Sequence, residues 1–145
     1  MKTVREILLK KGNNVWTVSP DTTVFSALQL MAEKNTGALL VMHNDKIAGI
    51  MTERDYARKV VLLGKFSKDV PVKEIMSSTI IYVNPAYSTE ECMALMIDKR
   101  VRHLPVMSDE KLDGIISIGD VVKAVIDEKE FLISQLEHYI KGERG

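Results

Sequence analysis

The chain has 145 residues, 46% of them apolar and 28% charged, which fits one globular assembly by the usual span of about 100–200 residues per domain. Its 20 basic and 20 acidic side chains cancel, so no net charge draws it to nucleic acid or to an anionic membrane. No apolar run approaches the roughly 20 residues needed to span a bilayer, and the charged start Met1-Lys2-Thr3-Val4-Arg5-Glu6 does not read as a signal peptide. The lone Cys92 can close no internal disulfide, so a cytoplasmic, reducing setting is expected.

In chain order, Val4, Ile7 and Leu8 have the spacing of a short helix over 2–11, ended by Gly12-Asn13-Asn14. Residues 15–18 form a strand and 19–22 a turn, with Asp21 or Thr22 placed to cap the helix that follows. That helix carries Val24, Ala27, Leu28, Met31 and Ala32 on one face. Residues 38–42 are apolar throughout, a strand buried on both faces, and 43–46 turn the chain into a return strand over 47–52. A helix over 53–63 and an exposed linker over 64–69 complete the first half. The second half repeats this order: a helical turn at 72–76, a strand at 80–83, a helix at 89–100, and paired strands at 103–107 and 112–117. A last helix starts near Gly119-Asp120, and a further segment over 127–140 sets Leu132, Leu136, Tyr139 and Ile140 at helical spacing.

One offset of 65 residues aligns the two halves without a gap. It matches Pro20 with Pro85, Leu39 with Leu104, Gly49-Ile50 with Gly114-Ile115, and Thr52 and Asp55 with Ser117 and Asp120. A lead-in also repeats, Val4-Arg5-Glu6-Ile7 against Val72-Lys73-Glu74-Ile75, with a small difference in length. So long a period is a duplicated subdomain rather than a solenoid, whose repeats run roughly 20–50 residues. Each half is strand–helix–strand–strand–helix, an α+β arrangement. The first repeat spans 1–68 with its core at 15–63; the second spans 69–145 with its core at 80–127 and a C-terminal helix over 128–141. A half of about 60 residues buries a marginal core alone, so the two are expected to pack as one module.

Thr52-x-x-Asp55 and Ser117-x-x-Asp120 are helix-capping boxes in form. An Asp at that place can also accept both hydroxyls of a ribose, as the acidic residue of dinucleotide sites does. Arg100, Arg102 and His103 stand before a strand, and Arg suits bidentate contact with phosphate. The matching positions in the first half are Asn35, Gly37 and Ala38, small and uncharged. Trp16 and Tyr82 could stack on a base or simply pack; Cys92, beside Met93 and Met96, reads as an inert core thiol. The three His residues lack metal-ligand spacing, and no Gly-rich phosphate loop or nucleophile–base set is recognisable, so nothing supports catalysis.

The repeated Gly-Ile-apolar-(Thr/Ser)-x-x-Asp pattern and the strand Arg102-His103-Leu104-Pro105-Val106 resemble the tandem cystathionine-β-synthase (CBS) domain family, or Bateman module. The run from Thr52 to Arg58 is similar to its stand-alone subgroup. The resemblance implies a regulatory module of two pseudo-symmetric β-α-β-β-α repeats that binds an adenosine-type ligand between them: AMP, ADP, ATP, S-adenosylmethionine or NAD(H). It implies no required cofactor, a homodimer, and an unidentified regulated enzyme as partner. Carried onto this chain, one site would use Ser117 and Asp120 for phosphate and ribose, and Arg102 and His103 at the phosphates. Asn13, Asn14 and Val15 with Thr36, Gly37 and Ala38 would surround the base. The pseudo-symmetric site would use Thr52, Arg54 and Asp55 with Ser78, Ile80, Ile81 and Val101. Gly37-Ala38-Leu39-Leu40 departs from the family pattern where the second half has Arg102-His103-Leu104-Pro105, so equal occupancy of the two sites does not follow. Two rivals differ in class. An enzyme related to IMP dehydrogenase would need a barrel of at least about 200 residues. A ligand-free dimerisation or interaction scaffold would keep the fold with vestigial clefts.

Overall fold

A computed structural model describes residues 2–141. Helix α1 (Val4–Lys11) is followed by strand β1 (Thr17–Val18), helix α2 (Val24–Lys34) and the hairpin β2 (Ala38–His43) and β3 (Lys46–Thr52). Then come α3 (Glu53–Tyr56), a π turn over Ala57–Val61 and a 3-10 turn over Val72–Glu74. The second repeat supplies α4 (Thr89–Lys99), the hairpin β4 (His103–Ser108) and β5 (Lys111–Ser117), and α5 (Ile118–Ile140). The mixed α+β architecture of two repeats is the one read from the sequence.

The chain divides into two compact units that do not follow chain order. One is contiguous, Val15–Ile80; the other joins the residues up to Asn14 to those from Ile81 onward. Each lead-in therefore serves the core of the other repeat, where a division at 68/69 keeps each with its own. In the discontinuous unit, Val4 and Arg5 donate backbone N–H bonds to Tyr87 O (2.9 Å) and Pro85 O (3.0 Å), and Thr89 N–H donates to Lys2 O (3.0 Å). In the contiguous unit, Val72 and Lys73 donate to Thr22 O (2.8 Å) and Pro20 O (3.0 Å), and Val24 N–H donates to Val70 O (2.8 Å). The six bonds are related by the repeat, and they satisfy backbone donors that a helix start leaves unpaired: four in the lead-ins, at Val4, Arg5, Val72 and Lys73, and one each at the start of α2 and α4.

The lead-in explains the glycine of the repeated motif. A Cβ on Gly114 would lie 2.8 Å from Leu8 Cδ2, and one on Gly49 would lie 2.6 Å from Met76 Sδ and 2.8 Å from the Ser77 carbonyl oxygen. Leu8 and Met76 occupy equivalent places in the two lead-ins. Around these contacts each unit closes an apolar core. Leu39, Val41, Met51, Val60 and Ile75 fill one, and Leu104, Val106, Ile116, Cys92 and Val4 fill the other.

In the contiguous unit β1 runs parallel to β2, which pairs antiparallel with β3; in the other, β4 and β5 pair alone, with the same register shift as their counterparts. Both hairpins turn through two residues of positive φ, Asn44 and Asp45 (51° and 63°) and Asp109 and Glu110 (47° and 68°). The strand expected at 80–83 reduces to a single bridge between Val83 and Val106. The cause is Pro105: in the first repeat Leu40 N–H donates to Trp16 O (3.3 Å), and its counterpart Pro105 has no N–H to give. Three further expectations are corrected. Thr23, not Asp21 or Thr22, caps α2, its side chain accepting from Ser26 N–H. The helix expected over 53–63 widens into a π turn, with Leu62 N–H bonding Ala57 O at 3.1 Å, while Val60 enters the core. The C-terminal segment is no separate element but continues α5 without a break, as no Gly or Pro interrupts 120–140.

The lead-in contacts order two substitutions. Gly49→Ala should destabilise the protein more than Gly114→Ala in a urea melt. The added methyl at Gly49 meets a backbone carbonyl pinned by Ile50 N–H (3.0 Å), whereas at Gly114 it meets only the movable end of Leu8.

Candidate functional site

β5 hands over to α5 at Ser117, and β3 to α3 at Thr52. At both junctions the hydroxyl accepts from the N–H of the Asp three residues on, at 3.2 Å. The carboxylate answers by accepting from the backbone N–H of the hydroxyl residue, at 2.8 Å for Asp120 and 3.0 Å for Asp55. Reciprocal capping of this kind starts the helix and also fixes the carboxylate beside its positive end.

Each carboxylate also takes a lysine that sequence reasoning missed. Lys11 Nζ lies 2.6 Å from Asp120 Oδ2 and donates to the Ile115 carbonyl at 2.9 Å. Lys59 Nζ lies 3.2 Å from Asp55 Oδ1 and donates to the Ile75 carbonyl at 2.8 Å. Lys59 follows Asp55 by four residues, a spacing readable from the sequence. Lys11 is not readable, because it arrives on the exchanged lead-in. The difference in lead-in length explains the two sources: α1 runs eight residues and ends at Lys11, whereas the second lead-in forms only a three-residue turn.

Beside Asp120 the discontinuous unit adds two more basic groups. His103 stands opposite Ser117 in the β4–β5 register, and the Arg102 carbonyl accepts the Ile118 N–H at 2.8 Å. Asn13 is held by its side-chain amide on the Asp113 carbonyl at 2.8 Å, and Asn14 is exposed. Burial pushes the Asp120 carboxyl up, but hydrogen bonds from Lys11 and Ser117 and the charge of Lys11 outweigh it, holding it below the usual carboxylate range. Burial, helped by the positive charges of Lys11 and Arg102, lowers the His103 imidazole below its ordinary value against the pull of Asp120. His103 is therefore neutral at pH 7, and the fixed positive charges here belong to Lys11 and Arg102.

The contiguous unit holds the other expected residues. Gly37 O accepts the Glu53 N–H at 3.1 Å, and Ala38 pairs with Thr52. The Ala38 side chain is buried, so Ala38 can offer a ligand only backbone. Thr36 Oγ1 turns back to the Ala38 carbonyl at 3.2 Å. Arg54 and Ser78 are exposed, and Val15 and Ile80 half-buried, as are Ile81 and Val101 in the other unit. Trp16, 37% exposed, carries Lys34 Nζ 4.4 Å from its ring centroid. Cys92 is fully buried and its thiol is pushed up to about 11, mainly by burial and then by Glu91, as expected of an inert thiol. Among the described residues no cluster of three or more His, Cys, Asp or Glu is arranged to hold a metal ion, and no helix is long and apolar enough to cross a membrane.

Two equivalent hairpins, each ending in a hydroxyl–carboxylate cap, define a paired-repeat α+β fold. The chain matches the CBS domain over residues 4–62 and 72–127, and it belongs to the CBS domain family. It is a CBS-pair regulatory module. The mitochondrial CBS domain-containing protein CBSX3 of Arabidopsis thaliana is 38% identical over 97% of this chain and 72% of its own length. The structure of a CBS-domain protein from Burkholderia ambifaria MC40-6 is 54% identical, with a TM-score of 0.84 over 87% of this chain and 95% of that one. The CBS domain pair of protein MJ0100, in complex with 5'-methylthioadenosine and S-adenosyl-L-methionine, shares the fold at a TM-score of 0.76 and 19% identity, over 88% of this chain and 98% of that one.

The neutral state of His103 has a consequence for stability. Below about pH 6.5 the unfolded chain protonates this imidazole while the folded chain does not. Stability should therefore fall from about pH 6.5 toward the lower folded value. A series of melts from pH 7.5 to pH 5 should show the decline, and His103→Gln should flatten it. An unchanged profile in the variant would place the titration elsewhere.

Proposed function

We propose that this CBS pair is a receptor for an adenosine-type ligand, reporting adenine nucleotide or NAD(H) level to a regulated enzyme rather than catalysing a reaction. The observation that carries the reading is the cluster at the start of α5. One fixed carboxylate stands there with Lys11, Arg102 and neutral His103 around it. A carboxylate at a helix start, flanked by donors, suits a ribose joined to a phosphate. Asp120 Oδ2 receives Lys11 and the Ser117 N–H, which leaves Oδ1 to face ribose hydroxyls.

On this reading Arg102 contacts the phosphates, with His103 and Ser117 beside them. The adenine ring is taken between Asn13 to Val15 and Thr36 to Ala38, largely by backbone groups. The second position would use Thr52, Arg54 and Asp55 with Ser78, Ile80, Ile81 and Val101. With Gly37 and Ala38 in place of Arg102 and His103, it suits a ligand of lower charge. That the MJ0100 pair, of like fold, was solved with two adenosyl compounds supports this ligand class. The module is expected to be a homodimer in a reducing, cytoplasmic setting, its one thiol buried.

The test is a thermal-shift series on protein freed of bound nucleotide. A ligand that binds only the folded form stabilises by about 2.7 kcal/mol at 100 times its dissociation constant. AMP, ATP or NAD should raise the melting temperature and be recovered unchanged, and GTP should act less. Asp120→Ala should weaken AMP by roughly 1.5–3 kcal/mol, the worth of a hydrogen bond to a charged group. Arg102→Ala should weaken ATP more than adenosine. No shift with any adenosine ligand would favour the ligand-free scaffold.

A further inference from the structure

The part of α5 beyond Asp127 serves neither a core nor the candidate site. The family match stops at residue 127, yet the helix runs on to Ile140. Only Val121 and Ala124 of its 23 residues are buried. Its last stretch leaves Leu132, Ile133 and Leu136 about half exposed (52%, 55% and 53%), and Tyr139 and Ile140 more so (82% and 81%). Beyond Asp127 α5 buries no apolar side chain, although helices in proteins draw most of their stability from packing an amphipathic face. A contiguous exposed apolar stripe marks an interaction surface.

The spacing of the stripe says what covers it. Ile126, Ile133 and Ile140 recur every seven residues, and Val122, Lys129 and Leu136 recur between them, offset by four and three. That is the two-position seam of a coiled coil, the pattern that keeps two like helices facing each other. Leu132 and Tyr139 widen it along one edge. We propose that this stripe docks on α5 of a second copy of the chain. The proposal rests on the homodimer reading above and names its surface.

Three observations favour a second copy over other partners. One stripe present on both copies is self-complementary about a two-fold axis. Burying six side chains, Ile126, Leu132, Ile133, Leu136, Tyr139 and Ile140, removes roughly 100 Å² each. The resulting ~600 Å² per copy approaches the ~800 Å² per partner of a standard interface before any polar rim is counted. The segment 127–141 carries Asp127, Glu128, Glu130 and Glu137 against Lys129 and Lys141, an acidic balance that opposes an anionic lipid surface.

Sedimentation equilibrium on the full chain tests this, with Ile133→Asp/Leu136→Asp as the first variant. Both positions lie outside the cores, so the variant should still fold and unfold in one cooperative transition, at a melting temperature lowered only by the loss of the dimer. Wild type should sediment at twice the chain mass at micromolar concentration, and the variant should weaken the dimer at least 100-fold. Lys129→Leu, which removes the one charge from the seam, should tighten it at least tenfold. A variant pair that leaves the dimer constant unchanged would overturn the proposal while sparing the homodimer reading. A monomeric wild type would overturn both. A monomeric wild type that co-sediments with phosphatidylserine vesicles would reassign the stripe to a membrane.

Discussion

The backbone bonds between lead-in and helix start are the constraint on which everything else depends. Each lead-in donates two N–H groups to the turn before α2 or α4 and accepts one from the helix itself. These bonds place Leu8 against Gly114 and Met76 against Gly49, and so set how closely a lead-in lies on the strand that leads to the capping box. Only one of the two reaches further. The longer α1 carries Lys11 to Asp120, tying the candidate site to the first residues of the chain. A repeat in sequence thus becomes an asymmetry in chemistry through a difference of about one helical turn.

The two capping carboxylates show how a residue that builds the fold can keep acceptor capacity for a ligand. Asp55 and Asp120 each spend an oxygen on the backbone of their own helix start. That bond costs the site little, since a carboxylate has two oxygens and about four acceptor positions. It holds the group in one rotamer, which is the usual requirement for a binding residue. The lysine on each prevents an isolated buried charge. Where the two sites part is at the preceding strand, with Arg102 and His103 in one and Gly37 and Ala38 in the other.

Much of this was legible in the sequence. The offset of 65 residues recovers both hairpins, both capping boxes and the burial of Leu39 and Leu104, because period-two and helical patterns survive duplication. The places where the expectation failed are those where a residue's partner is not its sequence neighbour. Pro105 deletes a strand at 80–83 by withholding an N–H from the facing segment. The lead-in of one repeat docks on the core of the other, which no local pattern can reveal, so Lys11 stayed hidden beside Asp120. The π turn after Tyr56 has no sequence signature at all, since neither Gly nor Pro marks it.

The exchanged lead-ins also set the order in which the chain can be completed as it leaves the ribosome. Residues 15–80 are contiguous, so this unit has all of its parts soon after Ile80 has emerged. The other unit must keep its first fourteen residues waiting until the strands and helices beyond Ile81 exist. Its closure spans nearly the whole chain, and long loop closures are slow. Until then Val4, Ile7 and Leu8 have no core to enter, and a helix of only eight residues is marginal without one. The late-folding unit is also the one that holds Asp120.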